Sequence, residues 1–419
     1  MGVADHSGMK LISRTVLPGT ALLAVTLAAQ PAPLFIPRLD DTRILYYGTG
    51  NHDLVSDLQH RLDAGTAHLD YSEKWGYLES VLKELKIPVS SQTLVFSKTS
   101  LQLSHISPEH PRALYFGDEV YVGMVRGGLL EFVVADREKG AVFYVMEQKK
   151  TAAPKIVRKN EECLSCHFTV NTMSIPGFLT RSVYPSGTGE PMLDAGSYLT
   201  DHRSPLNQRW GGWYVTGTHG AARHLGNSIA SGRKIDSERG ANITDLKKFI
   251  NPAQYPVPSS DIVALMVLNH QVQMHNLITR LGYEARLGRP ELRATVESTV
   301  RYMLFADEAR VSERTTGTSP FRAEFERNGP ADSQGRSLRQ FDLEGRLFRY
   351  PCSFLIYSEA VDALPPEAKD PLFMRLWEVL SGKDQSPAYK SLTPQDRRAI
   401  LEILIATKPS LPPYFRQGI

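Results

Sequence analysis

Glu162-Cys163-Leu164-Ser165-Cys166-His167 is the stretch from which the rest of the chain is read. Two thiols separated by two residues and followed at once by a histidine have the spacing that attaches one c-type haem. The thiols add across the two vinyl groups of the macrocycle, and the imidazole takes one axial position on the iron. The chain has three cysteines in all, and the third, Cys352, is far away in sequence. A structural zinc site would need four Cys or His ligands. A thioredoxin-type pair would sit in a βαβ setting and does not require the histidine. A disulfide across two intervening residues closes an unfavourably small loop. The expectation is therefore one covalent haem c held by Cys163 and Cys166, with His167 as the proximal iron ligand. Cys352 lies in the apolar run Tyr350 to Tyr357 and is expected to be a buried, inert thiol.

The N-terminus agrees with that chemistry. Lys10 and Arg14 precede an uncharged apolar stretch, Val16 to Ala29, and Ala28 and Ala29 offer small residues for cleavage. The stretch is shorter than the ~20 residues a bilayer-spanning helix needs. Residues 1–29 are thus expected to be a signal peptide, and the body of the protein to be periplasmic or otherwise exported. The alternative is an uncleaved anchor that keeps it at the membrane surface. With 419 residues, 42% of them hydrophobic and 22% charged, the chain has the composition of a folded protein of two or three domains. A formal charge of +3 and the lack of any basic run speak against nucleic acid as a partner. The partners expected are exported redox proteins.

The fold class expected is α+β. Residues 40–154 form a mixed, β-rich region: Asp53 to Leu62 and Gly76 to Leu85 have helical spacing. Short β-type runs follow at Leu94–Ser97, Ala113–Phe116, Glu119–Val125, Leu130–Ala135 and Ala141–Glu147, with a hairpin turn at Asp136–Gly140. Residues 155–240 are the loop-rich haem c-binding segment, and residues 241–419 are mainly helical. There, Asp261 to Leu281 is apolar on most faces, Leu292 to Val311 is helical in pattern, and Thr393-Pro394 caps a helix running through Ala406. Residues 312–345 read as a polar surface excursion.

Several blocks together resemble a family of uncharacterised exported bacterial proteins with a single c-type haem motif, described as cytochrome c domain-containing. They are Glu162 to His167, Pro176 to Val183, Thr200 to Pro205, Arg209 to Gly220 and Asp261 to Arg280. The likeness runs over most of the chain and implies an exported haem protein, with no substrate or activity attached. The haem motif is shared with the small cytochromes c, but this chain is several times their length and lacks their compact helical plan.

The second axial ligand decides between a carrier and a catalyst, because a six-coordinate iron moves electrons and an open position can bind a small molecule. Met192, in a Pro-Met pair, and His202, His219 and His224 all follow the motif within a loop that a chain can close. His270 and His275, inside the apolar helix, are further candidates. Met173 follows His167 too closely to reach the opposite face. Arg203, Arg209 and Arg223 are candidate partners for the haem propionates. Trp210-Gly-Gly-Trp213-Tyr214 suits either the haem edge or sheet packing. The leading expectation is a mono-haem electron-transfer protein; the alternative is a haem-dependent, peroxidase-like oxidoreductase with an open distal site.

Overall fold

The β-type runs form a single antiparallel meander. In the computed structural model, which describes Met1, residues 35–48, residue 50 and residues 53–416, it comprises six strands. These are β1 (Thr93–Val95), β2 (Arg112–Phe116), β3 (Val120–Met124), β4 (Leu130–Asp136), β5 (Gly140–Met146) and β6 (Ile156–Arg158). The β4–β5 turn closes through Asp136, whose Oδ1 accepts from the N–H groups of Glu138 and Lys139. β7 (Arg181–Val183) and β8 (Ser197–Leu199) pair as a separate hairpin, and β9 (Trp213–Tyr214) adds to β1. The completed sheet runs β6-β5-β4-β3-β2-β1-β9. Trp213-Tyr214 therefore belongs to the sheet, and Trp210 donates from Nε1 to Asn269 Oδ1 at 2.8 Å. A last small ladder joins β10 (Gly217–Thr218) to β11 (Thr316–Gly317).

Helix α1 (Leu54–Asp63) packs on β4 and β6, and α2 (Leu78–Glu84) follows it. Asp53 caps α1 and accepts from Tyr144 Oη on β5 at 2.6 Å. The haem motif is itself helical, as α3 (Glu161–His167). The other face of the sheet meets α4 (Ile262–Arg286), where Gln271 Nε2 donates to Tyr121 Oη at 2.8 Å. Twenty of the 25 residues of α4 are buried, as expected of a helix apolar on most faces. Around it lie α5 (Leu292–Met303), α6 (Phe321–Arg327), α7 (Glu359–Asp362), α8 (Pro366–Leu380) and α9 (Pro394–Thr407). The architecture is α+β, with the sheet in the N-terminal half and most helices in the C-terminal half.

Residues Ile36–Ile419 form one compact unit, so the regions expected over 40–154, 155–240 and 241–419 are parts of one body and not separate domains. The reason is visible in the pairing: β9 and β10 come from the loop-rich segment, yet one completes the large sheet and the other pairs with β11. The polar excursion expected over 312–345 is corrected in part: about half of its residues are exposed, but it is anchored. Phe321, Phe325, Leu338, Phe341 and Leu343 are buried, because a few well-spaced apolar side chains outweigh the Gly- and Arg-rich background. Helix α5 stops at Met303, short of the expected Val311, where Phe305 turns into the left-handed region at φ 53°. The expected signal peptide lies outside the described residues. No helix among the described residues is long and apolar enough to cross a membrane.

Candidate haem-binding site

Three and four residues separate neighbours on one side of a helix, so α3 presents Cys163, Cys166 and His167 together. Both thiols are free; Cys163 is part-buried and Cys166 exposed. Burial pushes the Cys163 thiol up to about 11, with the Glu131 and Glu162 carboxylates adding to the effect. Leu164, between them, is buried and anchors the helix.

The His167 ring lies 4.9 Å from that of Phe143 on β5, and its Nδ1 is 2.8 Å from the carbonyl oxygen of Gly177. A carbonyl can only accept, so Nδ1 carries the proton and Nε2 is left with a bare lone pair. Burial lowers the pKa of this imidazole, which keeps it neutral at pH 7. A neutral histidine with its Nδ1–H tied to a backbone carbonyl is the state a metal-ligating imidazole requires.

The carbonyl is itself held in place. Asn276 of α4 accepts from Phe178 N at 2.8 Å and donates to Phe178 O at 2.9 Å, gripping the residue after Gly177 on both sides. Arg280 donates to Met173 O at 2.6 Å, and Thr172 Oγ1 reaches the carbonyls of His167, Thr169 and Ile175. The turn between the motif and Gly177 passes through Met173 and Ser174, both in the left-handed region at φ 60° and 55°. A Cβ on Gly177 would lie 2.6 Å from Asn276 Oδ1, so only glycine allows this approach. These clamps are the supporting shell of His167.

No family model, no curated protein and no solved structure matches this chain. The site's own geometry therefore carries the reading. Among the described residues, no group of three or more His, Cys, Asp and Glu side chains is placed to hold a metal ion.

The remaining candidate ligands are spread over different places. Met192 is half-buried on the β7–β8 hairpin, its N–H bonded to Tyr184 O at 2.8 Å. The hairpin is tied to the sheet by Lys98, which donates from its backbone to Gly189 O at 2.9 Å and pairs with Glu190 at 3.0 Å. His202, His219 and His224, read as loop histidines, are all buried. His219 has both ring nitrogens engaged, Nδ1 at Ala222 O (2.9 Å) and Nε2 accepting from Asn242 N (3.1 Å). His224 Nδ1 accepts from Gly226 N at 3.0 Å, and burial brings its pKa down to about 3. His202 and His270 are paired, Nδ1 to Nδ1, at 2.8 Å, and His270 Nε2 meets Ser353 Oγ at 2.8 Å. His202 is stacked on Tyr302 and Phe305, on the α5 side of α4, and its Nε2 is buried without a hydrogen-bond partner among the described residues. His275 Nε2 donates to Asp118 O at 2.9 Å. Cys352 is fully buried, as expected, and burial raises its thiol far above the ordinary range.

The three arginines proposed for the propionates are engaged elsewhere: Arg203 with Asp201, Arg209 with the carbonyls of His202 and Ser204, and Arg223 with Glu238. The arginine that does lie by the motif is Arg112 on β2. Its guanidinium pairs with Glu131 on β4 at 2.5 Å, and both charges act on the Cys163 thiol and the His167 ring. Sequence offered no sign of it, because one Arg and one Glu in alternating strands look like ordinary outward-facing residues.

Proposed function

We propose that this chain is an exported mono-haem c-type cytochrome that passes single electrons between exported redox partners. The observation that carries the reading is the bond from His167 Nδ1 to Gly177 O, which leaves Nε2 bare on the same helix face as two free thiols. Cys163 and Cys166 would hold the haem through thioether bonds and His167 would ligate its iron; the bound haem supplies the one-electron couple. The chain's own contribution is to keep the imidazole neutral, hold its tautomer and orient the ring through Gly177 and the α4 clamp. Export fits this chemistry, since the motif follows the charged and apolar N-terminal pattern of an exported chain.

Met192 is our choice of second ligand. Its hairpin is fastened to Lys98, and two residues on Ser100 Oγ donates to Glu131 Oε1 at 3.1 Å, so the hairpin borders the strands that face Cys163. A thioether needs no change of tautomer or loss of a hydrogen bond to become a ligand, unlike His219.

The reading is tested by alkylation under native conditions. Chain produced with export and haem supply should resist iodoacetamide at Cys163 and Cys166, while chain made without haem should be labelled at exposed Cys166. Labelling of both thiols in the exported, purified protein would overturn it.

A further inference from the structure

The register of the sheet sets Leu114, Gly123, Glu131, Val145 and Val157 in one row across β2 to β6. Period-two alternation puts Tyr121 and Phe143 on the same face, one step along their strands. Those two are covered, Tyr121 by Gln271 and Phe178 and Phe143 by His167. The row itself is not: Leu114, Glu131 and Val145 are half-buried and Val157 is 55% exposed. Arg112, two residues from Leu114, lays its side chain over Gly123 to reach Glu131. A Cβ on Gly123 would lie 2.6 Å from Arg112 Nη2, so the glycine makes the crossing possible. The result is an apolar strip, one Cβ lower at its centre, with an ion pair set into it whose side chains are only 18% and 15% exposed. The neighbouring feature is the haem motif, whose His167 ring lies 4.9 Å from Phe143 on the same face, one step along β5 from Val145.

We propose that this strip is the floor on which the haem lies, and that the Arg112–Glu131 pair tunes its reduction potential; this rests on the haem reading above. A flat, largely apolar ring attached at Cys163 is the occupant whose shape, chemistry and point of attachment fit the strip. Oxidised haem carries one more positive charge than reduced haem. Glu131 therefore favours the oxidised form and Arg112 the reduced form, and in a partly buried pair each charge is weakly screened.

The test is a redox titration of the purified holoprotein, with each variant first checked for haem stain on a denaturing gel. Glu131→Gln should raise the potential and Arg112→Gln lower it, each by about tenfold in the oxidised-to-reduced ratio, or ~59 mV for one electron. The double variant should return to within roughly threefold of wild type, since the two effects oppose each other. Val157→Glu adds a negative charge on an exposed edge of the same row, where folding is not at risk, and should lower the potential by roughly threefold after solvent screening. Haem-stained variants that all stay within about twofold of wild type, or Glu131→Gln and Arg112→Gln shifting the potential in the same direction, would overturn the inference and leave the haem reading standing. A wild-type chain that carries no haem stain would bring down the haem reading itself.

Discussion

At the scale of single residues, the site depends on a relay from α4 to the imidazole: Asn276 grips Phe178, which fixes the Gly177 carbonyl, which fixes the proton on His167 Nδ1. Asn276→Ala leaves the Phe178 N–H and C=O without these partners and should cost about 1–3 kcal/mol in urea unfolding. Gly177→Ala forces a Cβ against Asn276 Oδ1 and should cost a similar ~1–3 kcal/mol, through overpacking. A loss below ~0.5 kcal/mol in both would mean the clamp holds nothing. Met192→Ala should turn a low-spin haem spectrum high-spin; an unchanged low-spin spectrum would assign the second position to another residue. Cys163, Cys166 and His167 stand out as candidates in the sequence because the haem chemistry proposed for them fixes their spacing. Gly177, Asn276, Arg112 and Glu131 do not, since each works through a partner that only tertiary structure brings near.

At the scale of elements, α4 organises the molecule, and its start is held by one carboxylate. Asp261 accepts from Val263 N at 2.8 Å and Ala264 N at 3.4 Å. It also accepts from Thr318 N, Ser319 N and Ser319 Oγ, each at 2.8 Å, and so ties residues 318–319 to the helix. Asp261→Ala removes a cap worth ~1 kcal/mol and leaves buried donors unpaired, so a loss of about 2–4 kcal/mol is expected, partly recovered in Asp261→Asn. A loss under ~0.5 kcal/mol would contradict the role. Periodicity made α1 and α4 readable, and the Thr393-Pro394 cap made α9 so; in the structure Asp53 and Asp261, which open the first two stretches, turn out to be caps like Thr393. Helix α8 was not read, since Pro366 and Pro371 look like breakers; Pro366 occupies the first turn, where a missing N–H costs nothing. The 312–345 stretch misled because composition averages over the few aromatics, such as Phe321 and Phe325, that bury it.

For the whole molecule, buried titrating groups set the response to pH. Burial lowers the pKa of His224 and His270 to about 3 and that of His275 to about 4. The unfolded chain therefore binds more protons than the folded one below about pH 6.5, and stability falls as pH drops from there towards 4. Glu119 and Glu308, pushed up to about 7 by burial, act in the opposite sense between about pH 4.5 and 7 and offset part of that loss. Burial lowers His167, His202 and His219 as well, so histidines outnumber the two glutamates, and unfolding free energy should fall from pH 6.5 to 5 by ~1 kcal/mol per pH unit for each net proton. Unfolding that grows harder over that range would contradict the buried, neutral state of these histidines. The proposed haem reading rests on one covalent claim, and intact mass spectrometry of the exported, purified protein tests it most directly. The account predicts a chain heavier by one haem that survives acid-acetone extraction, with the addition lost in the Cys163→Ala, Cys166→Ala double variant. A wild-type mass equal to that of the polypeptide alone would contradict it.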